Sequence, residues 1–322
     1  MNESNWQPGA SINAIRSRAF LYQYIRHFFQ QHNILEVDVP IYASSAPTDP
    51  YIQAIPAIIC GEHYLLQSSP EFYMKRLLAF GSGDIFSLGK AFRDEEAGRK
   101  HNPEFTILEW YRVDFNDHQL IEEVIEFITG YLSDSNPLAK SDVTSISYSQ
   151  LFQNTLGINP HQSSVEQLQK IALSHFDTSI DEDDIDVWLD LLMTHVIEPH
   201  LQGLTVIYDY PATQAALAKI TRNEEGDFIA RRFEVYFNSM ELGNGYWELT
   251  DAQEQLKRFQ RDLEVRQQNN LSLPPMDKKL LAAMQSGLPA CAGIAIGVDR
   301  LLMCATQAND IDDVLSFSLK RS

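Results

Sequence analysis

Carboxylates and cations are spaced along two pairs of strand-like segments in a way that would let them bind a small charged ligand. The first pair covers residues 84–95 (DIFSLGKAFRDE) and 104–115 (EFTILEWYRVDF), joined by a polar loop. Side chains alternate between the two faces of a strand, so Glu109 and Tyr111 share a face. A partly buried carboxylate and phenol need a partner, and a ligand ammonium would satisfy both. A direct ion pair between Arg93 and Glu109 across the sheet is the alternative.

The second pair of segments, residues 231–249 (RRFEVYFNSMELGNGYWEL), could hold a divalent cation. With a two-residue turn at 238–239, Glu234 and Glu241 lie diagonally on one face, about 7 Å apart. Mg²⁺ binds oxygen ligands and prefers one or two carboxylates together with substrate phosphates. Alternatively, Glu234 forms an ion pair with Arg232 or another base.

The apolar pattern predicts the helices and strands that would position these segments. From a capping Ser11 to Asn33, apolar residues recur every three or four positions, which predicts an amphipathic helix. This stripe consists of Ile15, Ala19, Tyr22, Ile25 and Phe29. A strand ending at Pro40 follows, residues 118–204 contain helix-like pieces, and 291–306 (CAGIAIGVDRLLMCAT) is typical of a strand running into a helix. Two hairpins and several helices indicate an α+β fold.

Composition limits the class of protein. The chain has 322 residues, 44% of them hydrophobic, and a net charge of −19 from 25 basic and 44 acidic residues. Such a chain can bury a sizeable core, whereas its negative charge disfavours broad RNA binding. Neither a signal-peptide-like start nor a membrane-spanning apolar run occurs in the sequence, so we expect a cytoplasmic protein without membrane contact. The three cysteines, Cys60, Cys291 and Cys304, lack metal-site spacing and are expected to be reduced core residues.

Three segments together resemble a known family. Residues 92–112 (FRDEEAGRKHNPEFTILEWYR) resemble motif 2 of the class II aminoacyl-tRNA synthetases, and 293–303 (GIAIGVDRLLM) resemble their motif 3. The helix and strand of 11–40 look like motif 1, the dimerisation element. HNPEFT, SSPEFYMKRLL and MELGNGYWELTDA are similar to the lysyl-tRNA synthetase branch. The resemblance covers nearly the whole chain and implies the catalytic core of that family, an antiparallel sheet flanked by helices that uses ATP and Mg²⁺.

The resemblance also implies roles for individual residues. Arg93 and Arg300 are the implied catalytic residues, the first at the α-phosphate and substrate carboxylate, the second over adenine and at the γ-phosphate. Further residues implied in ATP binding are Glu95, His101, Asn102, Phe105, Glu241, Leu242 and Gly297, and the implied Mg²⁺ ligands are Glu234 and Glu241. Those implied in binding the amino-acid substrate are Ser69, Pro70, Glu71, Glu109, Tyr111, Asn244 and Glu248.

Two departures from a synthetase narrow the expected activity. Only about a dozen residues precede the motif 1 helix, too few for a five-stranded anticodon-binding barrel, so tRNA is not the expected substrate. The chain resembles truncated lysyl-tRNA synthetase paralogues that ligate (R)-β-lysine to a lysine side chain of translation elongation factor P. Ser69 stands where the synthetases usually have Ala. Its hydroxyl could contact the amine of a β-amino acid, which lies about one bond away from the position of an α-amine.

We therefore expect one catalytic domain over residues 1–322, with a helical insertion at about 118–204, no anticodon-binding domain, and a homodimer. Other functions stay open. A ligase that acts on a small amine or on tRNA would use the same ATP residues, and a non-catalytic regulatory relative would keep the fold as a binding module.

Overall fold

A large, mostly antiparallel sheet with helices on both faces forms the body of the protein. The computed structural model describes residues 6–94, 97–135, 142–180 and 182–322. The helices are α1 (Ile12–Gln31), α2 (Glu71–Phe80), α3 (Asp117–Ser135), α4 (Tyr148–Leu156), α5 (Val165–His175), α6 (Ile185–Leu192), α7 (Ala252–Gln268), α8 (Lys278–Gly287) and α9 (Val298–Thr306). The strands are β1 (Leu35–Glu36), β2 (Tyr42–Ala43), β3 (Pro56–Ile59), β4 (Glu62–Leu66), β5 (Ile85–Phe92), β6 (Glu104–Val113), β7 (Val143–Ser147), β8 (Leu204–Pro211), β9 (Ile220–Arg222), β10 (Phe228–Phe237), β11 (Met240–Trp247) and β12 (Cys291–Gly297).

Nine of these strands belong to one sheet. Eight follow the order β1-β5-β6-β12-β11-β10-β8-β7, and β9 pairs with the start of β10. The outer pairs, β1 with β5 and β7 with β8, are parallel, and the inner pairs are antiparallel. Strands β2, β4 and β3 form a small second sheet. The predicted α+β fold, an antiparallel sheet flanked by helices, is confirmed.

Both predicted hairpins are present. In the first, β5 and β6 pair antiparallel with Ser87 opposite Glu109. In the second, Tyr236 lies opposite Glu241, as predicted, across a turn at 238–239 whose two residues have φ angles of 45° and 65°. Two successive positive φ angles suit the right-handed twist of the flanking strands in a tight hairpin.

A β-bulge in the second hairpin changes which side chains share a face. The pairing shifts by one residue, leaving Leu242 without a partner in the register, so Glu234 lies opposite Asn244. Strict alternation would place Glu241 and Asn244, three positions apart, on opposite faces. Because the bulge inserts one residue, both lie on the face that carries Glu234.

Helices cover one whole face of the large sheet and the two ends of its opposite face. Helices α1, α3 and α9 pack on the first face, against residues such as Phe86. On the second face, α2, α7 and α8 form one apolar cluster that includes Ile85, and α4, α5 and α6 form another that includes Tyr236. Between these two clusters, the same face carries the small residues of β12 and polar side chains of β6, β10 and β11.

Helix α1 begins and ends where the sequence predicts. The Ser11 hydroxyl accepts a hydrogen bond from the Ala14 amide at 3.1 Å, and Asn33 follows the helix with φ of 54°. The buried stripe differs from the predicted one, because Ala19 is exposed. The residues buried on α1 are Ala14, Leu21, Ile25, Phe28 and Phe29. The following strand is also shorter than predicted, since β1 has only two residues.

Residues 118–204 contain one strand that the helical pattern did not predict. Strand β7 pairs in parallel with β8 and extends the large sheet at its edge. The predicted helices are present as α3 to α6, and α6 continues into a π-helical turn at Met193–Ile197 and a 3-10 turn at Glu198–His200. Residues 136–141 and 181 lie outside the described part of the chain. That this segment is an insertion within a single domain stays a prediction.

The structure also bears on two expectations about the cysteines and about membrane-spanning helices. All three cysteines are free thiols; Cys291 is buried and Cys304 partly buried, but Cys60 is exposed, so the prediction of three core cysteines is wrong. Cys60 lies in the turn between β3 and β4, away from the main core. Among the described residues, no helix combines the length and the apolar character that crossing a membrane requires.

The substitution Gly245→Ala should destabilise the fold. A Cβ at this position would lie 2.4 Å from Cζ of Phe233 and 3.0 Å from the Gly293 carbonyl oxygen. Since Phe233 is fully buried, the core must shift, and we expect a loss of about 1–3 kcal/mol in the free energy of unfolding, measured with urea. Gly89→Ala is the control, because nothing lies within 4 Å of a Cβ there. Equal losses in the two variants would contradict this explanation.

Candidate active site

The uncovered strip of the large sheet forms a groove with two ends. The pairing of β6, β12 and β11 aligns Glu109, Ala295 and Asn244 in one row, and Glu234 of β10 continues it. Because a strand rises about 3.3 Å per residue, Phe105 near the start of β6 lies roughly 13 Å from Glu109. An elongated ligand can therefore contact both positions.

The floor of the groove is made of small residues. On β12, Gly293, Ala295 and Gly297 alternate with buried isoleucines that point into the core. A Cβ at Gly293 would lie 2.3 Å from Cε1 of Tyr111 and 2.9 Å from Oε1 of Glu248. Glycine is thus required where these two side chains meet over the strand.

Glu109 lies at the acidic end of the groove. It is buried, and it accepts hydrogen bonds from the Ser69 hydroxyl and the Tyr111 hydroxyl, both at 2.7 Å. Burial and, next, the nearby carboxylate of Glu71 raise the pKa of Glu109 to about 7. A ligand ammonium beside it would favour the ionised carboxylate.

Two more carboxylates lie at this end, and they share a buried lysine. Nζ of Lys75 lies 2.6 Å from Oε1 of Glu71 and 2.6 Å from Oε2 of Glu248. Burial lowers the pKa of Lys75, but Glu248 and Glu71 outweigh burial and the net pKa is raised, so the ammonium stays charged. The structure thus brings together all the residues predicted to bind substrate ammonium groups, and it adds a cation that the sequence analysis missed.

The opposite end of the groove is basic and aromatic. The Arg93 guanidinium lies over the Phe105 ring, 5.2 Å from its centroid. Nη1 of Arg300 donates to the Glu241 carbonyl oxygen at 3.0 Å and to its carboxylate at 3.2 Å. Nη2 of Arg300 lies 2.5 Å from Nε2 of His101. These five residues, all predicted to bind ATP, therefore surround one region in which cations and an aromatic face are available.

Glu234 and Asn244 lie between the two ends and are linked by Arg232. Nη2 of Arg232 donates to Oε1 of Glu234 at 2.5 Å, and its Nε donates to Oδ1 of Asn244 at 3.2 Å. The other oxygen of Glu234 accepts hydrogen bonds from the hydroxyls of Tyr210 and Tyr236 at 2.7 and 2.5 Å. The alternative in which Glu234 pairs with Arg232 is confirmed.

The other alternative, a direct pair between Arg93 and Glu109, is wrong. The Arg93 amide donates to the Pro103 carbonyl at 2.9 Å, which places Arg93 opposite Pro103. Six positions of β-strand separate Pro103 from Glu109, which corresponds to roughly 20 Å. An arginine side chain cannot bridge that distance, so the two residues serve different ends of the groove.

The carboxylates near Glu241 fit a divalent cation. The Glu241 side chain is 42% exposed. Burial and the charges of Glu234 and Glu241 raise the pKa of Glu198, in the 3-10 turn after α6, to about 7. Among the described residues, no three His, Cys, Asp or Glu side chains form a metal cluster. Mg²⁺ prefers one or two carboxylates together with phosphate oxygens of the substrate. This region can supply the carboxylates.

Three further predicted residues are placed so that only their backbone, or the space beside it, could be available to a ligand. Pro70 precedes α2, and its carbonyl accepts hydrogen bonds from the first turn of that helix. The Leu242 side chain is buried in the main core, so its backbone is what can face a ligand. Gly297 precedes α9, and a Cβ there would have Cδ of Arg300, at 3.7 Å, as its nearest neighbour.

Asn102 and Glu95 complete the predicted set. Nδ2 of Asn102 donates to the Glu104 carbonyl at 2.6 Å, and its Oδ1 accepts from the Leu319 amide at 3.0 Å. Asn102 therefore joins the motif 2 segment to the C-terminal residues. Glu95 lies outside the described residues.

A buried arginine on α7 supports the basic end from behind. Arg266 is 1% exposed, and its guanidinium donates to the carbonyls of Thr48, Asp49, Ile52 and Ser272 and to Oε1 of Gln53. The Gln53 carbonyl accepts a hydrogen bond from the Asp94 amide at 2.9 Å. Arg266 thus anchors the 48–53 loop against the strand end that carries Arg93.

Sequence reasoning missed Lys75, Glu198 and Arg266. A signal existed for Lys75, which lies four positions after Glu71 and so on the same helical face. Glu198 and Arg266 offered none, because their neighbours in space are tens or hundreds of positions away. Their roles depend on the packing of distant segments.

The groove runs across an antiparallel sheet and carries two arginines and an aromatic ring at one end and buried carboxylates at the other. It is suited to an elongated ligand with phosphates at one end and ammonium groups at the other. A family model for the class II tRNA synthetases (D, K and N) matches residues 8–321, and the chain belongs to that family.

Curated relatives are similar over their whole length. The "Elongation factor P--(R)-beta-lysine ligase" of Vibrio vulnificus (strain YJ016) is 43% identical over 325 residues, which cover 98% of each chain. That of Pseudoalteromonas translucida (strain TAC 125) is 43% identical over 332 residues and 100% of both chains. That of Haemophilus ducreyi (strain 35000HP / ATCC 700724) is 39% identical over 330 residues, 100% of this chain and 98% of the relative.

The raised pKa of Glu109 predicts a pH-dependent stability of the ligand-free protein. Since folding raises this pKa from 4.5 to about 7, the stability that the proton contributes is fully present below about pH 4.5, mostly present at pH 5, and lost as the pH rises to 7 and above. Glu109→Gln should therefore raise the free energy of unfolding at pH 8 by on the order of 1–3 kcal/mol and change it little at pH 5. Urea denaturation at both pH values measures the effect.

Glu104→Gln is the matched control, because Glu104 is an exposed carboxylate on the same strand. It should change the stability little at either pH. A gain in Glu109→Gln that is the same at pH 5 and pH 8 would contradict the explanation.

Proposed function

We propose that the protein activates (R)-β-lysine with ATP and transfers it to a lysine side chain of translation elongation factor P. The acidic end of the groove carries this proposal, because the buried carboxylates of Glu109 and Glu248 and the partly buried carboxylate of Glu71 suit a substrate with two ammonium groups. Membership of the class II family supports the use of ATP. The names of the relatives, at 39–43% identity over nearly their whole length, support the amino acid and the acceptor.

In the first step, an oxygen of the substrate carboxylate attacks the α-phosphorus of ATP. A new P–O bond forms, the bond to the β-phosphate bridging oxygen breaks, and pyrophosphate leaves with the electron pair. The carboxylate is already ionised at neutral pH, so this step needs no general base. The protein contributes by holding the reactants in line and by neutralising charge.

In this proposal, residues at the basic end of the groove bind ATP, and a residue in the middle contacts the substrate carboxylate. Arg93 binds the α-phosphate and the substrate carboxylate, Phe105 stacks on adenine, and Arg300 covers the other face of the base and reaches the γ-phosphate. Asn244 contacts the substrate carboxylate from the middle of the row, where Arg232 orients its amide. Glu95, His101, Asn102, Leu242 and Gly297 position ATP in this proposal.

Glu241 would hold Mg²⁺ together with Glu234, whose oxygens would have to be shared between the ion and their present partners, Arg232 and two tyrosine hydroxyls. When bound, the ion neutralises charge on the phosphates. At the other end, Glu71 binds the ammonium nearest the reacting carboxylate. Glu109, Tyr111 and Glu248 bind the ammonium of the side chain.

In the second step, the ε-amine of the acceptor lysine attacks the carbonyl carbon of the adenylate. An amide bond forms, the bond between that carbon and the phosphate oxygen breaks, AMP leaves, and the amine loses its proton. The net charge of −19 favours the approach of a basic segment of an acceptor protein.

We further propose that the protein is a cytoplasmic homodimer that associates through the motif 1 region. Several apolar side chains of this region are exposed, namely Ile12 and Phe20 of α1, Leu35 of β1, and Ile41 and Tyr42 beyond it. Exposed apolar side chains concentrated in one region are typical of a protein interface. The resemblance of this segment to motif 1 supports the same assignment.

Intact mass measurement of purified elongation factor P tests the proposed function. After incubation with this enzyme, ATP, Mg²⁺ and (R)-β-lysine, we expect the mass to rise by one lysyl residue, and to rise less in the same time with α-lysine. The Arg93→Ala variant serves as the control and should leave the acceptor unmodified, because it lacks the main charge at the α-phosphate. An unchanged acceptor together with labelled tRNA or a labelled small amine would refute the proposed acceptor.

Ser69→Ala tests the basis of substrate choice. The Ser69 hydroxyl donates to Glu109 and accepts from the Glu71 amide at 3.0 Å, so it fixes one recognition carboxylate and the start of the helix that carries another. Its loss should reduce the preference for (R)-β-lysine over α-lysine by about tenfold or more in kcat/KM, measured by pyrophosphate exchange. Ser68→Ala, at the adjacent buried serine, is the control. An unchanged preference in Ser69→Ala would show that this hydroxyl does not select the substrate.

A further inference from the structure

Lys75 is a fully buried lysine that the proposed mechanism does not use. Its side chain is 2% exposed, and it lies on α2, one turn after Glu71. Its ammonium touches carboxylates from two elements, Glu71 on its own helix and Glu248 just after β11. Lysine is rarely buried unless it is paired, so the pairing must offset a large desolvation cost.

The charges of the side chains around Lys75 do not balance. Glu71, Glu109 and Glu248 supply three carboxylates at this end of the groove, whereas Lys75 supplies one ammonium. Among the described residues, Oε1 of Glu248 has no hydrogen-bond partner, although this side chain is completely buried. With all carboxylates ionised, two negative charges are left without a buried cation. A diamino acid brings two ammonium groups, which is the missing charge.

We infer that Lys75 is a positioning residue of the diamino-acid site. Its ammonium holds Glu71 and Glu248 in place and cancels one of the three negative charges of the cluster. The two negative charges that are left match the two ammonium groups of the ligand. This inference rests on the proposed function. Lys75 acts through the two glutamates and has no contact with the reacting atoms in the mechanism above.

The geometry explains why a cation is needed here and an apolar side chain would not serve. Both glutamates lie 2.6 Å from Nζ of Lys75 and belong to different elements, so the ammonium joins them. Without it, the three carboxylates, of which Glu109 and Glu248 are buried, would face each other, and they would take up protons to relieve the repulsion. A protonated carboxyl group binds an ammonium far more weakly than a carboxylate does.

The pH dependence of diamino-acid binding reports this effect. Titratable groups that face the cluster come from four elements: Glu71 and Lys75 on α2, Glu109 and Tyr111 on β6, Tyr246 on β11 with Glu248 beyond it, and Cys291 on β12. Burial, opposed by Lys75, raises the pKa of Glu248, and the pKa of Glu109 is about 7. The affinity for (R)-β-lysine should therefore rise with pH across neutrality. Removing the lysine charge should move that rise to higher pH.

Lys75→Gln and Lys75→Arg separate the charge from the packing. Gln keeps hydrogen-bond donors but removes the charge; we expect it to weaken the binding of (R)-β-lysine about tenfold or more and to raise the midpoint of the pH dependence by about one unit. Arg keeps the charge and should retain the midpoint of the unaltered enzyme, even if its larger head group weakens binding. The KM for ATP should change less than about twofold in both variants, because the nucleotide end lies roughly 13 Å away along the strand. Titration calorimetry with (R)-β-lysine from pH 6 to 9 and pyrophosphate exchange provide these values.

Arg76→Met is the matched control, since Arg76 is the next residue on the same helix and its guanidinium lies over the Tyr73 ring. It should bind (R)-β-lysine with the affinity and midpoint of the unaltered enzyme. A folded Lys75→Gln variant with unchanged affinity and midpoint would overturn the inference while leaving the proposed function intact. If Lys75→Gln does not fold, Lys75→Arg is the test. This variant retains the charge, so a shifted midpoint of its pH dependence would overturn the inference. An unaltered enzyme that does not bind (R)-β-lysine would overturn both.

Discussion

The burial of several carboxylates at one end of a sheet is the constraint on which the rest of the structure depends. Ionised groups in a protein interior need partners that replace water, and here the partners come from separate elements. Lys75 of α2 pairs with Glu71 and Glu248, while Ser69 and Tyr111 donate to Glu109. These bonds can form only when α2 packs beside β6 and β11. The fold thus concentrates negative charge without leaving it all unpaired, and Oε1 of Glu248 has no hydrogen-bond partner among the described residues.

The remainder of the groove provides length and a second set of charges. Small residues on β12 leave the floor open, and the bulge at Leu242 places Glu241 and Asn244 on the same face. At the far end, cations and an aromatic ring gather around Arg93, whose strand end is anchored through the loop that Arg266 holds. A ligand that is basic at one end and joins a polyphosphate at the other suits this arrangement. In the proposed function the nucleotide and the amino acid bind at separate ends, so the residues at one end could change without altering the other.

Much of this arrangement was predictable from local patterns. Alternation correctly placed Glu109 with Tyr111, a two-residue turn correctly set Tyr236 opposite Glu241, and the capped stripe after Ser11 correctly indicated α1. Each of these inferences uses residues a few positions apart. Backbone geometry with a period of two or 3.6 residues is enough to place such neighbours. The similarity of the motifs to those of the class II synthetases then supplied the class of chemistry.

What the pattern did not predict depends on contacts between distant segments. The bulge breaks strict alternation, Ala19 of α1 is exposed despite its apolar spacing, and β7 joins the sheet through a partner about sixty positions away. Lys75 meets Glu248, and Arg266 meets the 48–53 loop, only after the helices have packed. The amino-acid sequence by itself determined the local elements and the chemical types of the site residues, because these follow from short-range periodicity. Only the tertiary structure decided which charges are buried together, because burial and ion pairing depend on how the elements pack.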